Sequence, residues 1–381
     1  MPYKLKNGFV FKVGIVIDSL IIYAKCIIEY LIFRILDKIK VNLKETNSNQ
    51  ILCINSEKLG DVILTTDFIN SIIESKKYDC VCYLVRAEYI DIINDTFPNI
   101  EVIPCKLSEF KVDFKYKIEL LKKLQARHFT DVINISPVRG IINDELTILA
   151  KGKNTIATLK SSQYMPGFIV KKLNHRFNYL LEPSSSNIYA VLMDALNLLK
   201  ISLVSKSLLK TNYSELDFPY SDFIAVAPLA SLKFRSWPLN YYKVLCHKLS
   251  KKYKILLLGT EEQAPELEEI ADSNQDIINT AGKYHSFELP SIIKKSKLFI
   301  GNDSGLTHIA LQLNKSFIGI IGGGKHGLVF PYKPNNKSIY EYHLMECFNC
   351  NWMCKYKEPY CITEISAEKV YDDALKLLEA K

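Results

Sequence analysis

An acidic residue, a hydroxyl and a glycine stand in a row at Asp303, Ser304 and Gly305, inside the stretch KLFIGNDSGLTHIALQL from Lys297 to Leu313. The apolar run Leu298, Phe299 and Ile300 before them suits a strand buried on both faces. Leu306, Ile309, Ala310 and Leu313 after them recur at the spacing of one helix face. A strand therefore ends and a helix begins here, with Asp303 or Ser304 available as a cap and Gly305 permitting a tight turn and a close ligand. Main-chain N–H groups from Gly305 to His308 would lack intrahelical partners and sit at the positive end of the helix dipole. Such a start is an anion site. A capped turn without a ligand is the competing reading.

A second acidic residue occupies a similar junction. ILCINSEKLGDVILTTDFINSI reads as a strand, a loop ending in Gly60 and Asp61, and a helix whose inner face carries Val62, Ile69, Ile72 and Ile73. Asp61 would stand at the carboxyl edge of one sheet and Asp303 at the matching edge of another. Each is equally a dipole partner or cap; facing one another across a cleft, they suit an enzyme with two substrates. Glu262, after the apolar run 254–258, is placed either to accept from ribose hydroxyls or to open a solvated helix. Gly322, Gly323 and Gly324, beside Lys325 and His326, either line a pocket or form a mobile loop. Trp237 before Pro238 starts a helix with proline at its first position, the indole packing inward.

Of ten cysteines, Cys26, Cys53, Cys80, Cys82, Cys105 and Cys246 lie in apolar segments and read as small buried hydrophobes. Cys347, Cys350, Cys354 and Cys361 cluster in ECFNCNWMCKYKEPYC, a spacing open to structural zinc or an iron–sulfur cluster, with His343 as a substitute ligand, and equally to free thiols or oxidised pairs.

Stepping outward to the elements, strand-like runs at 51–55, 80–85, 101–105, 131–135 and 154–159 alternate with helical segments. A polar stretch, Lys210 to Asp222, precedes a second series at 223–227, 254–258, 298–301 and 316–321. Alternation implies parallel sheets covered by helices, an α/β chain of two doubly wound halves. The chain has 381 residues, 48% of them hydrophobic, beyond the roughly 250–300 residues at which one core gives way to two. A net charge of +8, with both signs dispersed and no DNA- or RNA-binding signature, suits acidic ligands or an anionic surface and argues against nucleic acid.

Val13 to Ile39 is strongly apolar yet interrupted by Asp18, Lys25, Glu29 and Arg34, so a spanning helix is not expected. With Lys4, Lys6 and Lys12 before it and Lys38, Lys40 and Lys44 after it, the segment fits an amphipathic helix lying on anionic lipid, or one packed against the body or a second subunit. No cleavage site marks it as a signal. The expected division is 1–46 as the amphipathic segment, 47–215 and 216–365 as the two Rossmann-like domains, and 366–381 as a closing helix.

INSEKLGDVILTTDF, APLASLKFRSWPLNYY, LLLGTEEQ, the run from TAGKYHSFELP to GNDSGLTHIALQL, and ECFNCNWMC follow one another as in the ADP-heptose:lipopolysaccharide heptosyltransferases, glycosyltransferase family nine, which residues 50–380 resemble. The resemblance implies a GT-B fold, two Rossmann-like domains facing across a cleft, and inverting transfer without a metal or other catalytic cofactor, from a nucleotide sugar, commonly ADP-heptose, to lipopolysaccharide or a related lipid-linked or surface glycan. The chain's lack of any Asp-x-Asp pair agrees. By the same resemblance Asp61 is the catalytic base, with Gly60 and Thr65 in the acceptor-side loop. Arg235 or the neighbouring Lys233 holds the donor phosphates with Ser304, Gly305, Leu306 and Thr307, whose hydroxyl is a further donor. Asp303, His308, Glu262 and Gly323 attend the donor, Asp303 as a cap or sugar organiser and His308 as a ligand or a local packing residue. Departures are TTDF, where a proline often follows the threonines, and APLAS, where Pro-Gly is frequent. The amphipathic segment precedes the family pattern and fits a cytoplasmic enzyme peripheral on the inner membrane face. Another GT-B enzyme, such as a nucleotide-sugar epimerase, and an inactive membrane-associated scaffold are the alternatives.

Overall fold

The computed structural model describes residues 8–39, 49–159, 165–205, 209–211, 219–332 and 337–379. Lys4, Lys6, Lys40 and Lys44, the side chains of Lys12 and Asp18, and most of the polar stretch before Asp222 lie outside the described residues. The chain forms two compact units, Phe9–Leu208 and Leu209–Lys381.

In the first unit β1 (Gln50–Asn55), β2 (Cys80–Arg86), β3 (Glu101–Cys105), β4 (Asp131–Asn134), β5 (Asn154–Thr158) and β6 (Tyr179–Leu181) form one parallel sheet in the order β3-β2-β1-β4-β5-β6. Every residue of β1 and β4 is buried, as a central strand covered by helices on both faces requires. The second unit repeats the arrangement with β7 (Phe223–Ala227), β8 (Lys254–Leu257), β9 (Ile277–Asn279), β10 (Leu298–Asn302), β11 (Phe317–Ile320) and β12 (Ser338–Glu341), ordered β12-β11-β10-β7-β8-β9. Both sheets have the doubly wound order whose switch point, where ligands gather beyond the strand ends, lies between the first and fourth strands. β6, β9 and β12 are additions to the expected set. They are edge strands of three or four residues, too short to carry a periodic signal.

From Leu20 onward the N-terminal helix α1 (Gly8–Leu36) divides its apolar residues between two faces. Cys26, Tyr30, Phe33 and Leu36 are buried in the first unit's core. The Glu29 carboxylate lies 2.7 Å from buried Lys117, whose ammonium is also 3.8 Å from Glu145. Asp37 pairs with Lys151 at 2.7 Å and Arg176 at 2.9 Å. Burial alone would raise the Asp37 carboxyl, but hydrogen bonds to these two cations bring it down to about 2. The other face stays open: Leu20, Ile28, Leu31 and Ile35 are each more than half exposed. Helix and body thus meet, as one expectation had it, while a second apolar stripe remains uncovered. No described helix is long and apolar enough to cross a membrane.

Candidate functional site

Beyond the carboxyl end of β10 the chain passes through Asp303 and Ser304 into the helix Gly305–Gln312. Ser304 is the N-cap by backbone geometry, but its side chain makes no capping bond, and its buried Oγ has no partner. The expected side-chain cap is therefore not formed by either residue. The N–H of His308 donates to the Ser304 carbonyl at 3.3 Å, so the orphan donors are Gly305, Leu306 and Thr307, one fewer than the sequence suggested. The Thr307 hydroxyl is not available to a ligand, because Thr307 is fully buried and donates to the Asn302 carbonyl.

Arg235 ends the 3-10 turn Lys233–Arg235 that follows β7. It is half-buried, its Nε is buried without a partner, and its guanidinium lies 5.4 Å from the Trp352 ring. Lys233 is exposed. Burial raises the Asp303 carboxyl above the usual range, while Arg235 and Lys325 pull against that shift. Two fixed cations and a helix start therefore share the switch point of this sheet. Asn302, a residue no motif singled out, organises it. Its Oδ1 accepts from the Trp237 N–H and the Tyr242 hydroxyl, each at 3.0 Å, and its Nδ2 donates to the Pro228 carbonyl at 2.6 Å. Trp237 itself packs inward, and Pro238 is the N-cap, one position before the helix Leu239–Leu249.

His308 is a local packing residue. It is buried, its Nδ1 lies 2.7 Å from the Tyr332 hydroxyl, and Phe330 packs on its ring at 4.3 Å. Burial, reinforced by Arg235, pushes its pKa down to about 3, so the ring is neutral near pH 7. Glu262 is exposed at the carboxyl end of β8, lowered by a hydrogen bond from Thr260. Gly323 and Gly324 are buried. A Cβ on Gly323 would come within 2.2 Å of Phe348, and one on Gly324 within 2.3 Å of Trp352. The cysteine-rich segment thus lies directly on this loop, tied by the Asn349 and Asn351 N–H groups to the Gly323 and Gly324 carbonyls at 2.7 and 2.9 Å.

Among the described residues, no three of Cys347, Cys350, Cys354 and Cys361 bring their sulfurs within 4.8 Å of one another. None of the ten cysteines forms a disulfide, and Cys361 is buried in the second unit's core. Burial raises the thiols of Cys347 and Cys350, and that of Cys361 up to about 11. Among the described residues the one trio of ligand atoms within 4.8 Å of each other is Cys80, Cys82 and Glu101. That trio corrects the reading of Cys80 and Cys82 as plain hydrophobes. Their sulfurs are 3.7 Å apart, and the Arg127 guanidinium, paired with Glu101, lies 3.6 Å from both. The guanidinium occupies the place a cation would take, at the opposite end of the strands from Asp61.

In the first unit Asp61 falls within the first turn of α2 (Leu59–Leu64), which begins before Gly60 rather than after it. The side chain is half-buried, and its main-chain carbonyl accepts from Asn55 Nδ2 at 3.1 Å. The preceding loop is clamped by Asn143, which accepts from the Ser56 N–H at 3.0 Å and donates to Glu57 at 3.0 Å, and by Arg86, which donates to the Ser56 carbonyl at 2.7 Å. Asn55, Asn143 and Arg86 escaped the sequence reading because clamping depends on contacts up to 87 residues apart. Thr65 is not a loop residue. It is fully buried where α2 meets α3 (Thr66–Ser75), bonded to the Val62 carbonyl at 2.7 Å and the Tyr83 hydroxyl at 2.8 Å.

Residues 189–357 match the profile of glycosyltransferase family 9 (heptosyltransferase). Lipooligosaccharide heptosyltransferase 2 of Campylobacter jejuni is 26% identical over 149 residues, 38% of this chain, so the match spans about half, 47%, of that relative. Lipopolysaccharide heptosyltransferase 3 of Escherichia coli is 24% identical over 72% of this chain and 84% of its own length. The solved structure of E. coli heptosyltransferase WaaC with ADP-2-deoxy-2-fluoro heptose superposes with a TM-score of 0.65 at 14% identity, covering 86% of this chain and 99% of that one. Two Rossmann-like units of this kind make up a GT-B fold.

Proposed function

We propose that the chain is a glycosyltransferase of family 9, whose profile residues 189–357 match, and that it transfers a sugar, in our reading a heptose from ADP-heptose, to a lipopolysaccharide-core or related lipid-linked glycan. The observation that carries the proposal is the concentration of unused donors at one switch point: the N–H groups of Gly305, Leu306 and Thr307, Ser304 Oγ and Arg235 Nε. A leaving nucleoside diphosphate develops negative charge, and fixed donors stabilise it without reorganising. Arg235 adds a charge that does not titrate away near neutrality.

Inversion requires a base that takes the acceptor hydroxyl's proton as the oxygen attacks the anomeric carbon and the diphosphate leaves with the bonding pair. Asp61 fills that role in this reading, held by a loop whose main chain Asn55, Asn143 and Arg86 fix. The chemistry is metal-independent here, because the donor set just described answers the phosphate charge. An acceptor anchored in lipid also gives a role to the open stripe of α1, Leu20, Ile28, Leu31 and Ile35, which would rest on the cytoplasmic face of the inner membrane and raise the local concentration of acceptor.

The test is a calorimetric titration with ADP, UDP, GDP and CMP, with and without EDTA, on the wild-type chain and Arg235→Ala. Tight, EDTA-insensitive binding of one nucleotide that weakens in the variant is the expected result. Binding of none would sink the proposal.

A further inference from the structure

Trp352 lies in the cysteine-rich stretch ECFNCNWMC, at a position to which no role has been assigned so far, and its geometry is unusual on three counts. Its indole Nε1 is buried with no hydrogen-bond partner. Its backbone is left-handed, φ 64°, a conformation bulky residues rarely adopt, and Asn349 and Asn351 nearby share it at 65° and 50°. Its ring rests on Gly322 and Gly324, where no Cβ is tolerated. The segment is thus held in a strained pose that keeps one indole against the loop after β11 and against the guanidinium of Arg235, 5.4 Å away.

The chain's other tryptophan provides the contrast. Trp237 is buried whole, where Trp352 is half-buried, and its indole N–H donates to the Ile365 carbonyl at 2.8 Å. Buried N–H groups are rarely left unpaired, so a site that orphans Trp352 Nε1, Arg235 Nε and Ser304 Oγ together is arranged for something that is absent. Indole and guanidinium only donate, which makes the missing partner an acceptor. Lys325 and Arg235, both close enough to pull on the Asp303 carboxyl, make it an anion.

We propose that Trp352 is a donor-binding residue: its indole N–H, stacked beside Arg235, donates to the diphosphate of the nucleotide sugar, so that the cysteine-rich segment supplies one wall of the donor site. This deepens the proposed function and rests on it. Trp352 reaches the anion only while Phe348 and the indole stay seated on the Gly322–Gly324 loop, which gives the segment's strained backbone a purpose.

The experiment uses the full chain, uniformly labelled with nitrogen-15, whose two tryptophans give two indole N–H signals. Trp352→Phe removes one and assigns it, leaving Trp237 as an internal reference. ADP, UDP, GDP and inorganic pyrophosphate are titrated in the presence of EDTA, and affinities are measured in parallel by calorimetry. The expected result is a downfield move of the Trp352 indole proton with an unmoved Trp237 signal, and about tenfold weaker binding in Trp352→Phe. If a nucleotide binds but the Trp352 signal stays in place and Trp352→Phe binds as wild type does, the inference falls and the donor site of the proposed function stands. If none of the four ligands binds the wild-type chain, both fall together. Should Trp352→Phe fail to fold, the wild-type spectrum decides, since only one of the two indole signals is expected to move.

Discussion

Asn302 holds Trp237 by its main chain, accepting the tryptophan N–H at 3.0 Å on Oδ1. The same oxygen takes the Tyr242 hydroxyl, and the amide returns a bond to Pro228. One buried side chain therefore ties the end of β10 to both ends of the loop that carries Arg235. Asn302→Ala strands three buried polar groups at a cost of about 1–3 kcal/mol each when none finds water. Urea unfolding of the variant is expected to show a loss of about 2–4 kcal/mol, with weaker nucleotide binding alongside. An unchanged midpoint would show that the knot is dispensable.

Asp61→Asn keeps the shape of the side chain and removes its basicity. Transfer is expected to fall by about 10²- to 10⁴-fold, with nucleoside diphosphate affinity retained. The decisive comparison is turnover against calorimetry on the same preparation. A variant that loses both would place Asp61 in donor binding instead.

Glu145 is fully buried, with Lys117 at 3.8 Å its nearest cation, and burial pushes its pKa up to about 8. The folded chain therefore holds this proton where the unfolded chain, ionising near 4.5, has released it. The sign follows: the burden on stability is nil below the unfolded value, grows as pH rises between 4.5 and about 8, and levels off above. Glu145→Gln is expected to flatten that decline. Equal slopes for the two chains in urea melts from pH 5 to pH 8 would refute it.

The open stripe of α1 makes a separate prediction. Ile28 and Leu31 are 57% and 58% exposed and lie outside the buried core, so Ile28→Asp with Leu31→Asp is expected to leave the unfolding midpoint nearly unchanged. Co-sedimentation with vesicles containing anionic lipid should fall sharply. Retained binding would show that the membrane is reached through another surface.

Gly323→Ala tests how closely the cysteine-rich segment is seated. The added carbon would sit 2.2 Å from the Phe348 ring, and the neighbours cannot yield without lifting the segment. Overpacking of this kind costs about 1–3 kcal/mol, and limited proteolysis should cut between 345 and 357 sooner than in the wild-type chain.

The alternating strands and helices, and both acidic junctions, were legible because each is a local change of hydrophobic period. What stayed hidden was the use of particular atoms. The Thr307 hydroxyl reads as a ligand donor in sequence, yet it is spent on the Asn302 carbonyl, and Thr65 is spent on Tyr83. Three consecutive glycines look like mobility; they are a floor for two aromatic rings that arrive from about 25 residues later. The four C-terminal cysteines suggest a metal by spacing alone, whereas sulfur positions depend on a chain path through left-handed turns that no pattern announces. Asn302, Asn143 and Trp352 went unassigned for the same reason: their partners are remote, and a single asparagine or tryptophan carries no signature.

The docking of α1 also sets a timetable. Glu29 waits for Lys117, 88 residues downstream, and Asp37 waits for Lys151 and Arg176, 114 and 139 residues downstream. At about 5–20 residues per second on the ribosome, the first of these partners emerges roughly 4–18 s after the helix does. Throughout that interval the ion pairs that hold Tyr30 and Phe33 against the body in the folded chain cannot form. Whatever first meets that helix, chaperone or lipid, thus meets it while the rest of the protein is still being made.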